Sequence, residues 1–358
     1  MTNPPPWGGP DQPPSGGYGQ QPPQPGYGPQ PGYGPQPGGL PSYGQYGQPA
    51  GPGGWQPSAP APGGVPLRPL AFGDLLSGPF TLIRQNPGGT IGLIALGVVI
   101  AAVIEAVMFG IAAGTNHPGL VFVAYIPALL IDAAVAGGAI ASMGGAYLGR
   151  KIGIGEAISR SRLGWVLLTG VIFFVIYLIP AYLLTAALHG FGVLLTLVLF
   201  AWIGVMLSLT LPVVVLERQS PFAAIARSWR LVTGSYWRIF GIFALLGVIF
   251  FVLYLIFAVV IGLVGVAGIT AGLGSSNGSG TVAAGTVIVL VIVSLIFGFV
   301  IGTLITAVGT GVVTLLYADM RMRKEGLDIV LQQAAQAQRL TGDEFAMAAP
   351  GSGRYPGS

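Results

Sequence analysis

Residues 160–218 read RSRLGWVLLTGVIFFVIYLIPAYLLTAALHGFGVLLTLVLFAWIGVMLSLTLPVVVLER. Two apolar runs, Leu163–Leu188 and Phe191–Leu216, are joined by only His189 and Gly190. Each exceeds the ~20 residues that carry a helix across a hydrocarbon core. Arg160 and Arg162 stand before the first run and Arg218 follows the second, with no Lys or Arg between. Cations on both outer flanks and none at the joint describe a pair that leaves one side of a membrane and returns to it. Strands of a membrane barrel do not fit, because they are about ten residues long and alternate in polarity.

The same pattern extends in both directions. Four further runs occupy about Gly89–Ala113, Leu120–Tyr147, Ile239–Ile269 and Ala284–Tyr317. The last two are longer than a bilayer needs, so they should tilt, kink or continue past the lipid. All fifteen Lys and Arg residues fall before the first run, in the second or fourth connection, or after the last run. Six crossings place every one of these cations on one face, which the positive-inside rule makes cytoplasmic, with both termini. The outer connections, 114–119, 189–190 and 270–283, are too short or too flexible for a folded domain. Function is therefore expected within the bilayer or at its inner face.

Composition agrees. Charged residues make up 7% of the 358 residues, against roughly 25% in soluble domains. The absence of cysteine excludes disulfides, thiolate metal sites and a cysteine nucleophile. The amino-terminal residues lack a basic and an apolar region, so the first span is expected to direct insertion.

Residues 1–66 form a separate block. Twenty prolines and eighteen glycines fill 38 of its positions, and Asp11 is its only charge. Proline blocks regular ladders and glycine raises the ordering cost, so a disordered cytoplasmic tail is expected. Tyr18, Tyr27, Tyr33, Tyr43 and Tyr46 are spaced stickers that could support self-association or protein partners. The plainer reading is a solvated tether.

Short amphipathic segments precede the odd-numbered spans. Phe72, Leu75, Leu76, Phe80 and Ile83 recur at helical spacing; so do Ile154, Ile158 and Leu163, and Phe222, Ile225, Trp229, Val232 and Tyr236. Each predicts a helix in the inner headgroup layer. A unit of one such helix and two spans, used three times, would give three parallel two-span repeats about an axis along the membrane normal. The basic residues of these segments and of the last span's end, Arg150, Lys151, Arg160, Arg162, Arg227, Arg230, Arg238, Arg321, Arg323 and Lys324, are candidate contacts for anionic inner-leaflet lipids.

Residues 68–84 (RPLAFGDLLSGPFTLIR), 221–232 (PFAAIARSWRLV, with Trp237 and Arg238) and 317–328 (YADMRMRKEGLD) resemble a family of bacterial, especially actinobacterial, multispan proteins. The family is labelled after the membrane domain of glycerophosphoryl diester phosphodiesterase. The resemblance spans about residues 68–335. With its tail, the chain looks like the mycobacterial proline- and glycine-rich transmembrane proteins. This implies a six-helix plasma-membrane protein. It does not imply the phosphodiesterase reaction, whose chemistry resides in a separate soluble barrel that this sequence does not contain.

Two acids fall inside spans, Glu105 and Asp132, at similar depth and with no Lys or Arg beside them. Such a pair could share a proton or bind a cation; the plainer reading is a neutral hydrogen-bonded acid between helices. Gly137, Ala141 and Gly145, and Gly262, Gly265 and Gly268, are read as close helix contacts. His117 and His189 are too few for a metal site. No nucleophile elbow, phosphate loop or metalloprotease helix occurs in proper context, so no catalytic residue, metal or cofactor is expected, and nucleic-acid binding is not.

The reading is thus an all-α integral membrane protein: a disordered tail over 1–66, a six-helix membrane domain over 67–320 with cytoplasmic-side amphipathic helices, a carboxy-terminal helix over 321–340 and a disordered end over 341–358. A non-enzymatic membrane scaffold is the favoured function. A transporter, channel or lipid-handling protein using the bundle interior is the alternative.

Overall fold

Tyr177 and Phe200 lie 23 positions apart, yet their rings meet edge to face with centroids 4.7 Å apart. On a straight helix they would be roughly 35 Å apart, at 1.5 Å rise per residue. The chain therefore reverses between them, at His189, where the backbone leaves helical geometry (φ 49°, ψ −127°). In this computed structural model, which describes residues 61–115, 119–273, 279–340 and 343–347, five helical stretches are long and apolar enough to cross a membrane. One of them, Leu163–Leu216, is this hairpin, so six apolar segments result. His117 lies outside the described residues.

In chain order, α1 is Phe72–Gln85, followed by a π-turn at Gly88–Gly92, α2 (Leu93–Thr115) and α3 (Gly119–Tyr147). Then come α4 (Ile154–Arg160), the hairpin α5 (Leu163–Leu207) and α6 (Thr210–Leu216). Last are α7 (Pro221–Val232), α8 (Tyr236–Leu273), α9 (Ser279–Glu325), α10 (Leu327–Gln336) and the single turn α11 (Glu344–Met347). A short helix followed by two apolar helices thus recurs three times in order. Among the described residues there is no strand.

The core gathers around α3. Its Gly137 faces Val166 of α5, where an added Cβ would come within 2.9 Å. Gly144 faces Leu216 at 2.6 Å in the same sense. Of the small residues read as a close contact on α3, Gly137 does that work, while Gly145 makes room for Ile152 of the following connection. Gly262 of α8 does not: nothing lies within 4 Å of its virtual Cβ. A buried polar knot seats α1 and the π-turn on α3. Asn86 donates to Ser142 Oγ (2.9 Å) and to the Ile152 carbonyl (2.8 Å), and Thr90 hydrogen-bonds Ser142 (2.9 Å).

Both ends of the described chain differ from expectation. Residues 1–60 of the expected tail lie outside the described residues. Residues 61–66 pack on the bundle: Val65 is buried, and Tyr147 donates to the Pro66 carbonyl. The carboxy-terminal helix expected from 321 begins only at Leu327, because α9 runs on unbroken to Glu325 before Gly326 turns left-handed (φ 66°). In the expected disordered end, Phe345 is buried against Tyr147 and Tyr317. The burial of apolar Val65 and Phe345 explains the departures at 61–66 and at 343–347.

The amphipathic helices form as expected, but their buried faces shift. α7 exposes Phe222 and Trp229 and turns Ala224, Arg227, Ser228 and Leu231 inward. Ser228 donates to the Met206 carbonyl at 2.7 Å, and Trp229 meets Trp202 edge to face. α1 likewise exposes Phe72 and Phe80 while burying Leu75, Leu82 and Ile83.

Candidate functional site

The end of α9 carries charge in a pattern that helical geometry sorts onto two faces. Tyr317, Arg321 and Glu325 are spaced by four residues and share one face. Asp319 and Arg323 share another, about 200° away at 100° per residue. Each face enters its own buried cluster at the end of the bundle where nearly all charges lie.

On the first face, Glu217 is the hub. It terminates α6 directly after the apolar run, and its side chain is wholly buried. It accepts from the Tyr317 hydroxyl at 3.0 Å and from Arg227 Nε at 3.2 Å. Arg227 reaches on to Glu325 at 2.6 Å. Arg321 donates to the same carboxylate at 3.0 Å, to the Tyr317 hydroxyl at 2.9 Å and to the Phe345 carbonyl at 2.8 Å. Two carboxylates and two guanidiniums balance, which makes such burial tolerable. Burial works against the charge of Arg227, but its hydrogen bond to Glu325 and the nearby Glu217 outweigh it and hold its pKa above the usual value.

On the second face, Asp319 is wholly buried and anchors the amino-terminal segment. It accepts from the Leu70 amide at 2.8 Å, Arg323 at 2.8 Å and Arg238 at 3.0 Å. Both arginines also donate to the Leu70 carbonyl, at 2.8 and 2.9 Å. Gln332 of α10 holds the Leu67 carbonyl at 2.6 Å. The lead-in to α1 is thus clamped by α8, α9 and α10.

These clusters correct part of the lipid-contact reading. Arg227 and Arg321 are buried in the ion network, so they do not face headgroups. Arg238 and Arg323 are only about a third exposed and are committed to Asp319. Lys324 donates to the Thr233 carbonyl. Arg150 and Arg160 both pair with Glu156, at 3.5 and 2.9 Å. Arg162 lies over the Trp165 ring at 5.8 Å. Lys151 and Arg230 are exposed.

Glu105 and Asp132 lie on the adjacent helices α2 and α3. Both are exposed on the outer surface of the described bundle; they do not line an interior. His189 marks the hairpin turn. Sequence reasoning missed Glu217, Tyr317 and Glu325 as members of one cluster and Asp319 as the centre of the other. The signal was present: an acid closing an apolar run, and four-residue spacing along α9.

The fold and its charged end define a multi-pass α-helical membrane protein whose one face is tied by buried ion clusters. Residues 177–341 match the family model described as the membrane domain of glycerophosphoryl diester phosphodiesterase, the family that the sequence resembles. The matched segment holds every member of both clusters except Leu67, Leu70 and Phe345. Comparison with curated proteins and with solved structures gave no match.

Proposed function

We propose that the protein is a non-enzymatic scaffold of the plasma membrane, with both termini cytoplasmic, whose amino-terminal tail recruits partners or self-associates beside anionic inner-leaflet lipids. The observation that carries this reading is the Asp319 clamp on Leu70. A tail that transmits or resists attachment needs a rigid root, and the Pro/Gly/Tyr-rich sequence ends a few residues before one. The buried polar groups at the charged end are spent on each other, in hydrogen-bonded ion clusters suited to holding geometry. The aromatic side chains left exposed there, Phe222, Trp229 and Trp237, suit a headgroup layer.

The alternative, transport through the bundle, would draw on Glu105 and Asp132, whose outward placement gives it no support. Deletion of residues 1–60, which spares the clamped segment, separates the two. The scaffold reading expects loss of co-purifying partners or of localisation, with the membrane part still folded. Unchanged partners and localisation after the deletion would overturn it.

A further inference from the structure

Residues 343–347 (DEFAM) lie in a socket walled by other elements of the bundle. Phe345 is 2% exposed. Its ring sits between Tyr147 of α3 and Tyr317 of α9, with centroids 6.2 and 5.9 Å away. Arg321 donates to its carbonyl at 2.8 Å. Two positions earlier, Asp343 meets Arg218 at 2.8 Å and Arg160 at 3.6 Å. We infer that this is a peptide-binding socket for a short acidic segment with an aromatic residue two positions after an acid, and that the chain's own 343–347 closes it as an autoinhibitory strap.

Three observations support it. The first is selectivity: the socket engages a carboxylate and a ring at a fixed separation, with a guanidinium on the backbone between them and the next residue. Of the eleven acids in the sequence, only Asp343 has an aromatic residue two positions on. No tyrosine of residues 1–66 follows an acid in this way, so the tail does not supply the occupant. The second is preformation, because each wall has an anchor apart from the strap. Tyr147 donates to the Pro66 carbonyl and Tyr317 to Glu217. Arg321 pairs with Glu325, Arg160 with Glu156, and the Arg218 carbonyl accepts from Arg162. A socket held in its bound shape costs little to fill again. The family match also ends at residue 341, before the strap. The third is fit: a cavity of about 30 Å³, bordered by Ile152, Leu216 and Phe345, remains beside the strap. The occupant therefore leaves room that a larger aromatic ring would use.

The strap is placed to let go. At the mouth, Asp343 and Arg218 are 41% and 52% exposed, and ion pairs so placed add little to the hold. The inference goes beyond the scaffold reading and does not depend on the tail.

The test uses the full chain in detergent and a fluorescein-labelled peptide of residues 338–350, with binding read by anisotropy. The parent should bind it weakly. Phe345→Ala in the chain should bind it about a hundredfold more tightly, the factor expected when a strap leaves the socket open about 1% of the time. Asp343→Asn is the milder release, with an expected gain of about threefold for loss of a half-exposed ion pair, and it keeps the test decisive if Phe345→Ala disturbs the size-exclusion profile. Adding Arg160→Gln and Arg218→Gln to either should remove most of the gain, and the same peptide carrying Phe345→Ala should not bind. If neither released chain binds the peptide more tightly than the parent, or the peptide lacking its ring binds equally well, the inference is overturned. Because residues 1–60 are intact throughout, that failure leaves the tail-deletion result untouched.

Discussion

The Leu70 amide and the Asp319 carboxylate are 249 positions apart in sequence and 2.8 Å apart in the fold. The bond closes the charged end by holding the lead-in to α1 on the last long helix. Asp319→Ala would leave Arg238 and Arg323 facing each other across an uncapped amide. The expected loss is about 3 kcal/mol, the low end for breaking a buried pair because both arginines reach solvent. Thermal unfolding in detergent measures it. Chymotrypsin gives a local readout: cleavage after Leu70, which is followed by Ala71, should become fast in the variant while the parent resists. An unchanged cleavage rate would show that Leu70 is held by other contacts.

Glu217 and Arg227 should behave as a coupled pair. Glu217→Gln leaves two buried guanidiniums with Glu325 alone, an unbalanced charge costing roughly 3–5 kcal/mol. Arg227 cannot escape by losing its proton, since its carboxylate partners hold its pKa above the ordinary arginine value. Glu217→Gln with Arg227→Gln restores balance, because Arg321 still pairs with Glu325 at 3.0 Å. The double variant should therefore be less destabilised than the sum of the singles by roughly 1–3 kcal/mol. Denaturant titration of the four proteins in mixed micelles reads this term, and simple additivity would mean the pair is not coupled.

Much of this fold was legible because lipid imposes long apolar runs and cations mark their ends. The hairpin at His189 follows from run length and from the absence of Lys and Arg between Arg162 and Arg218. The faces of α1 and α7 were less legible. Hydrophobic spacing on α7 picks out Phe222 and Trp229, which lie exposed, because near a membrane an apolar stripe can face outward as well as inward. The ion clusters were hidden for a related reason: Arg227 and Arg321 read as headgroup contacts until their acids, from α6 and the end of α9, are brought beside them. Phe345 lay in a segment whose composition favours disorder, and only its burial between two tyrosines reveals its role.

The hairpin itself offers the most direct check on the crossing count. A Cβ added at Gly192 would lie 2.1 Å from the Leu184 carbonyl oxygen, a backbone atom that cannot step aside. Gly192→Ala should then destabilise by roughly 1–3 kcal/mol, as overpacking does. His189→Gly should act oppositely: it removes a non-glycine side chain from a left-handed φ of 49° and should stabilise by about 1 kcal/mol. Both are measured as melting shifts. Gly190 has open space around it and the chain has no cysteine, so Gly190→Cys is a clean site for a membrane-impermeant maleimide. It should react in intact cells, whereas Ser159→Cys, placed among the arginines, should react only after lysis. A continuous helix through 189 would bury position 190 in lipid and leave it unreactive in both conditions, and the six-crossing topology would fall with that result.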